Sequence, residues 1–173
     1  FGEHATVYNY PGITAPIDIK LQIRINHDPD GPRFLNPHFR QAFSVPESDQ
    51  DLRLFSHAVN EALAMYKMER EPLAIQIESD LVPGMGLGSS AAFSSALVMA
   101  LRKYRRDDGF EDSRLELFEE VQRLESIFHG HPSGVDAATV LADSVIWFRK
   151  GPPREILPIK ISRKLSGIIC IVE

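Results

Sequence analysis

A glycine-rich stretch near the middle of the chain carries the residue types that bind phosphate. It spans residues 83–92 and reads Pro-Gly-Met-Gly-Leu-Gly-Ser-Ser-Ala-Ala. Glycines at alternate positions let a backbone approach a ligand closely because they have no Cβ. A strand-like run over 73–80 leads into the stretch, and a helical run over about 90–106 leads out of it. The serines therefore stand where a helix is capped, and the stretch predicts a phosphate site at a helix N-terminus.

Two better-known phosphate motifs do not fit this stretch. It lacks the Lys of a Walker P-loop, and its glycines do not have the spacing of a dinucleotide-binding fingerprint. A tight turn between a strand and a helix, capped by a serine, would account for the glycine spacing equally well. The complete string of residue types is more specific for a phosphate site than the glycine spacing is.

A second candidate is a carboxylate on an apolar helix face. A helix is expected from Ser113 or Asp112 to about Phe128, with one apolar stripe and one charged face. The stripe consists of Leu117, Val121, Leu124 and Phe128, and the charged face of Glu116, Glu119, Glu120 and Arg123. Glu125 falls beside the stripe, where a carboxylate is costly unless it is paired or binds a cation. An edge position from which the side chain reaches solvent is the alternative.

Three segments in order resemble the motifs of the GHMP kinases, the family of galactokinase, homoserine kinase, mevalonate kinase and phosphomevalonate kinase. The first, at residues 1–8, reads Phe-Gly-Glu-His-Ala-Thr-Val-Tyr, and the second is the glycine-rich stretch. The third, at residues 129–136, reads His-Gly-His-Pro-Ser-Gly-Val-Asp. Its Pro-Ser-Gly-Val-Asp part is most characteristic of the mevalonate kinases within that family. The resemblance extends over nearly the whole chain.

The resemblance implies an ATP-dependent kinase that transfers the γ-phosphoryl group to an alcohol, with mevalonate as the expected acceptor. In that case Asp136 is the catalytic residue, acting as a base or positioning the alcohol. The ATP-binding residues are then Pro83, Gly84, Gly86, Leu87, Gly88, Ser89, Ser90 and Ala91. Because Ala137 replaces an Asn that is common in mevalonate kinases, phosphomevalonate and sugar-type acceptors stay open.

The same resemblance implies a magnesium ion held by Ser90 and Glu125, the residue that its helix position also singles out. Magnesium prefers oxygen ligands and usually keeps several waters, so one hydroxyl and one carboxylate are sufficient. The residues implied near the alcohol substrate are Glu3, His4, Ser133 and Gly134.

Two other classes of function remain to be weighed. A hydrolase could use His129, His131 and Asp136 as metal ligands, or a serine of the glycine-rich stretch with a histidine and Asp136. The spacing fits no tight ligand set, and no Gly-x-Ser-x-Gly elbow occurs. A non-catalytic module that binds nucleotide is the other alternative.

Composition indicates one globular domain without nucleic-acid or membrane partners. The 173 residues are 43% hydrophobic and carry a formal charge of −5, so no basic surface for nucleic acid is expected. The single cysteine excludes a disulfide framework. No signal peptide or membrane-spanning stretch is recognised, which predicts a cytoplasmic protein. A homodimer is compatible with the resemblance.

The implied fold is α+β, an antiparallel sheet packed against helices, related to the second domain of ribosomal protein S5. We expect residues 1–173 to be the N-terminal, ATP-binding domain of a GHMP kinase, lacking its upstream Lys and C-terminal domain and inactive alone. Expected helices cover 50–70, 90–106, 113–128 and 133–141. Expected strands cover 17–25, 73–80, 144–149, 154–159 and 165–173.

Overall fold

A computed structural model describes residues 1–29, 33–36, 39–43, 50–80, 86–105 and 113–161. The described helices are α1 (Glu3–Val7), α2 (Gln50–Met65), α3 (Ser89–Arg105), α4 (Arg114–His129) and α5 (Val135–Val140). The described strands are β1 (Gly12–Thr14), β2 (Leu21–His27), β3 (Arg33–Asn36), β4 (Phe39–Phe43), β5 (Leu73–Ser79), β6 (Ile146–Arg149) and β7 (Glu155–Pro158). The expected strand over 165–173 lies outside the described residues.

The strands form two sheets, and together with the helices they confirm the α+β prediction. The larger sheet has the order β2-β5-β3-β4, and the smaller sheet has the order β1-β6-β7. All neighbouring strands are antiparallel except β3 and β5, which run parallel. The expected antiparallel sheet is therefore divided into two parts and contains one parallel pair.

Strand β2 has the expected alternation but begins later than expected. Leu21, Ile23 and Ile25 pack against the core, whereas Gln22 and Arg24 are exposed. The sequence predicts a strand from residue 17, but the ladder starts at Leu21. The reason is its partner, because Leu21 pairs with Ser79, the last residue of β5.

Helix α2 ends at Met65, five residues before the predicted end. Lys67 adopts a left-handed conformation with φ of 57°. The N–H of Lys67 donates to the carbonyl of Ala64, and the N–H of Met68 donates to the carbonyl of Leu63. Two such bonds around a left-handed residue make the common C-terminal cap in which an apolar residue folds back. Met68 is accordingly buried.

Three aromatic rings hold helices α2, α3 and α4 together. The ring centroid of Phe55 lies 4.9 Å from that of Phe93 and 5.2 Å from that of Phe128, both in edge-on geometry. Such pairs each contribute about 0.5–1.5 kcal/mol beyond the burial of their area. The buried residues of α3 lie between Ala91 and Leu101, whereas Met99 in the same segment is 54% exposed.

A half-buried ion pair joins the same three helices at another point, and we call it the Glu120 cluster. Glu120 Oε2 accepts hydrogen bonds from the Tyr66 hydroxyl at 2.6 Å and from Arg102 Nε at 2.8 Å. Burial raises the pKa of Tyr66 above its ordinary value, and the bond to Glu120 adds to this. For Arg102 burial lowers the pKa, but the bonds to Glu120 and Tyr66 outweigh it, and the net shift is upward.

Candidate active site

Two glycines with left-handed backbones precede helix α3. Gly86 and Gly88 have φ values of 67° and 68°, which side-chain-bearing residues rarely adopt. The N–H of Ala92 donates to the carbonyl of Gly88 at 2.9 Å, so the helix begins directly after that glycine. The first-turn N–H groups then belong to residues 89–91, at the positive end of the helix dipole. Of the expected ATP-binding residues, Pro83 and Gly84 lie outside the described part of the chain.

The expected catalytic carboxylate lies directly against this turn. A Cβ built on Gly88 would be 3.8 Å from both Cβ and Cγ of Asp136 and 3.9 Å from its Oδ1. Asp136 is in the first turn of the short helix α5. The turn and the acid are 48 positions apart in the chain, and the fold places them in contact distance.

The residues before Asp136 shape the start of α5. Gly134 has φ of 90°, and a Cβ there would lie 2.5 Å from Gln122 Nε2 on α4. A side chain at this position would be strained by the positive φ and would require Gln122 to move, so glycine suits the start of α5 beside α4. The hydroxyl of Ser133 accepts a hydrogen bond from the N–H of Val135 at 3.3 Å. Both residues, expected near the substrate, contribute here to the position of Asp136.

A cluster of polar side chains joins the first turns of α3 to the end of α4, and we call it the Glu125 cluster. Ser90 Oγ donates to Glu125 Oε2 at 3.4 Å, and Ser94 Oγ donates to Glu125 Oε1 at 3.4 Å. Ser90 Oγ is also 3.0 Å from His129 Nε2, which lies 4.0 Å from Glu125 Oε2. The Glu125 side chain is only 2% exposed, so the solvent-facing alternative is wrong.

The environment of Glu125 opposes its ionisation. Burial raises the pKa of its carboxyl to about 7, and the charge of Asp136 also raises it. Hydrogen bonds from Ser90 and Ser94 act in the opposite direction. A buried carboxylate with hydroxyl partners and a second acid nearby gains from a cation.

The donor set at this point fits magnesium. The Ser90 hydroxyl and the Glu125 carboxylate supply two oxygens beside a helix N-terminus, and magnesium accepts few protein ligands together with water and phosphate. No group of three or more His, Cys, Asp or Glu residues that could hold a metal occurs within the described ranges. A metal site made only of such side chains, as in the hydrolase alternative, is thus not found in that part of the chain.

Glu125 does not complete a serine-hydrolase triad with Ser90 and His129. In such a triad the acid bonds to the imidazole nitrogen opposite the one that faces the serine. Here Ser90 and Glu125 both approach Nε2 of His129. Glu125 therefore cannot orient the ring from its far side, and His131 is exposed.

The first motif lies on a short helix rather than on a strand. His4 is exposed on α1, and Glu3 begins that helix, although its side chain lies outside the described set. The segment is tied to α5 through β1, where the hydroxyls of Thr14 and Thr139 are 2.5 Å apart. The structure thus brings Asp136, Ser90 and Glu125 together and places His4 on the adjoining segment.

Two members of the Glu125 cluster were not expected at the kinase site: Ser94 was not named from the sequence, and His129 was named only for the hydrolase alternative. Ser94 follows Ser90 by four positions on α3, and His129 follows Glu125 by four positions on α4. Residues four apart share a helix face. This spacing is the sequence pattern from which both residues could have been predicted to join the cluster.

The described helices include none with the length and the apolar character needed to cross a bilayer.

Comparison with known proteins gives a family match over the middle of the chain. The family model of the GHMP kinases N terminal domain matches residues 53–143. A mevalonate kinase of Saccharolobus solfataricus is 30% identical over 159 residues, covering 87% of this chain and 48% of the relative. The chain spans about half the length of the curated relatives it matches.

Solved structures share the fold. The Methanococcus jannaschii mevalonate kinase superposes with a TM-score of 0.76 at 22% identity, covering 92% of this chain and 52% of that one. The Streptococcus pneumoniae phosphomevalonate kinase, solved with phosphomevalonate and AMPPNP, has a TM-score of 0.67 at 20% identity. It covers 86% of this chain and 46% of that one.

Proposed function

The chain belongs to the GHMP kinases, and on this premise we propose that it is the ATP-binding part of a kinase that phosphorylates mevalonate. The observation that carries the proposal is the position of Asp136 beside Gly88, 3.8 Å from the point where a Cβ on that glycine would lie. A phosphate cradle and a carboxylate that can accept a proton must be adjacent for phosphoryl transfer to an alcohol.

In this proposal the start of α3 binds the phosphates of ATP. The backbone of Pro83, Gly84, Gly86 and the residues up to Ala91 forms the cradle, and the first-turn N–H groups donate to phosphate oxygens. A side chain at Gly88 would project toward Asp136, where the reacting groups meet. Glycine therefore keeps the reaction site open.

Ser90 and Glu125 would hold the magnesium ion. When bound, magnesium supplies positive charge that neutralises phosphate oxygens. The residues of this chain prepare for it by burying Glu125 among hydroxyl groups instead of pairing it with a basic side chain.

Asp136 accepts the proton of the substrate hydroxyl. The alcohol oxygen forms a bond to the γ-phosphorus of ATP while the bond from that phosphorus to the β,γ-bridging oxygen breaks. ADP leaves with the electron pair of the broken bond, and the proton remains on Asp136 until solvent removes it. The two loop residues before α5, Ser133 and Gly134, set the position of this acid.

Mevalonate is the acceptor that the named relatives favour, because the curated matches are mevalonate kinases. Phosphomevalonate is the second candidate, since a phosphomevalonate kinase shares the fold. Glu3 and His4 are proposed to face the alcohol substrate. Both candidates would use the same phosphate cradle and the same acid.

The test is the Asp136→Asn variant of the full-length protein, with Asp143→Asn as control. Asp143 is an exposed acid in an ion pair with Arg114. Loss of the proton acceptor should reduce turnover with ATP and mevalonate by roughly a hundredfold or more, while nucleotide binding stays close to normal. The control should keep its activity. Near-normal turnover of Asp136→Asn would contradict the role of Asp136 as proton acceptor. If the wild type phosphorylates phosphomevalonate or galactose but not mevalonate, the proposed substrate is wrong.

A further inference from the structure

Ser94 is a fully buried polar residue that no step of the proposed reaction uses. It lies one helical turn after Ser90 on α3 and is 0% exposed. Its hydroxyl donates to Oε1 of Glu125 at 3.4 Å, inside the interface between α3 and α4. A buried hydroxyl that contacts a buried carboxylate limits the orientations of both groups.

The two oxygens of Glu125 have different partners. Oε1 accepts from Ser94 on the buried side, whereas Oε2 accepts from Ser90 and lies 4.0 Å from His129 Nε2. Ser90 and His129 are only partly buried or exposed. Oε2 is therefore the oxygen on the side where a ligand can enter.

We infer that Ser94 is a positioning residue for the metal-binding carboxylate, an inference that rests on the proposed function. By donating to Oε1, Ser94 fixes the rotation of the Glu125 carboxylate and keeps Oε2 directed toward Ser90. Hydrogen bonds of this kind to a ligating carboxylate commonly change metal affinity by about 10–100-fold.

The energetic reason is the cost of an unpaired oxygen in the interior. Within the described residues, Ser94 is the donor that the structure gives to Oε1. Without that donor the carboxylate oxygen loses its hydrogen-bond partner, and an unpaired buried acceptor is unfavourable. The carboxylate is then free to turn away from the orientation in which one oxygen faces Ser90, and this lowers the population of the orientation that binds the metal.

The neighbouring serine provides a matched control. Ser95 lies on the same helix and is 2% exposed, but its hydroxyl has no hydrogen-bond partner among the residues the structure describes. Ser94→Ala and Ser95→Ala delete the same atom from equally buried positions. Only the Ser94→Ala change removes a hydrogen bond to Glu125.

The experiment measures metal-dependent nucleotide binding in the full-length protein. The affinity for a non-hydrolysable ATP analogue is determined by calorimetry over a series of magnesium concentrations, and manganese binding is followed by electron paramagnetic resonance. Ser94→Ala should raise the half-saturating metal concentration about tenfold. Its affinity for the analogue without metal should not change, and Ser95→Ala should resemble the wild type in both measurements.

The possible results separate the two proposals. If the wild type binds the analogue in a metal-dependent way and the two alanine variants respond alike, the inference about Ser94 is wrong and the proposed function stands. If the wild type shows no metal dependence, the magnesium site and the role of Ser94 both fail. A tenfold effect confined to Ser94→Ala supports the inference.

Discussion

Helices α3 and α4 run antiparallel and share two polar clusters, each built around a glutamate of α4. In the Glu120 cluster the acid is paired with Arg102 and with the hydroxyl of Tyr66. In the Glu125 cluster the acid contacts the hydroxyls of Ser90 and Ser94, and the imidazole that lies 4.0 Å away is largely exposed. Two carboxylates on one helix are thus stabilised differently, Glu120 by a charged arginine and Glu125 by neutral hydroxyl groups.

The difference indicates separate roles for the two acids. Glu120 has its cation within the fold, so its charge is neutralised whether or not a ligand is bound. Glu125 is more deeply buried, and among the described residues the basic side chain nearest to a pairing with it is His129, whose Nε2 lies 4.0 Å away. Because a buried charge needs a counterion, Glu125 is suited to a cation that arrives from outside.

The largest expected effect is a loss of stability when Glu120, like Glu125, is left without an arginine partner. Arg102→Met leaves Glu120 half-buried without its cation, and removing one partner of a buried pair typically costs about 3–5 kcal/mol. Because the Glu120 side chain keeps 24% exposure, we expect the lower end, about 3 kcal/mol. The free energy of unfolding from urea denaturation checks this value.

The control for this change is Lys103→Met, the same substitution at an exposed neighbour on α3. It should change the unfolding free energy by less than about 0.5 kcal/mol, as is usual for surface positions. Equal effects of the two variants would mean that the Arg102–Glu120 pair does not stabilise the helix interface.

The second expected effect is a pH dependence that arises from Glu125. Its pKa is about 7 in the folded protein, whereas that of an unperturbed glutamate is 4.5, so the folded state binds more protons than the unfolded state between these values. Stability of the metal-free protein should therefore fall as pH rises from 4.5 to 7, by on the order of 3 kcal/mol. Urea denaturation in a chelator at several pH values measures it.

The matched variant for this measurement is Glu125→Gln, which retains the shape and removes the ionisation. Because other groups also ionise over this pH range, the relevant quantity is the difference in unfolding free energy between wild type and variant. That difference should shift in favour of the variant as pH rises. A difference that stays constant from pH 5 to pH 8 would show that burial does not hold the Glu125 proton.

The smallest of the three effects, and the most specific, concerns metal affinity. Glu125→Gln removes an anionic oxygen ligand and should raise the magnesium concentration needed for ATP binding at least about tenfold. Glu120→Gln should leave that concentration unchanged while lowering stability. Calorimetric titrations of the full-length variants test both statements. An identical response of the two variants would remove the distinction between the clusters.

Much of this site follows from local sequence patterns. The glycine-rich stretch predicts the turn before α3, and the structure has left-handed backbones at Gly86 and Gly88. Helical periodicity places Glu125 beside an apolar stripe, and the side chain is buried. The hydrogen bond from the N–H of Glu116 to Ser113 confirms the start of α4 that the cap residue predicts. Such features depend on neighbours within one or two turns of chain.

Where local sequence patterns give a wrong prediction, the residue or strand that contacts the segment comes from a distant part of the chain. Glu120 falls on the charged face of its own helix, yet Arg102 and Tyr66 cover it from α3 and α2. Strand β2 starts late because its partner strand, β5, ends at Ser79. None of these partners is visible in a local window.

The sequence by itself therefore determined which residues could do chemistry here: a helix start able to bind phosphate, an acid on an apolar face, and an aspartate after a glycine turn. Tertiary structure alone decided which of the glutamates has a cation in the fold. Periodicity states only where a side chain points relative to its own helix axis. Whether an arginine or a serine meets it depends on how α3 packs against α4, and that packing brings Ser94 to Glu125 and Arg102 to Glu120.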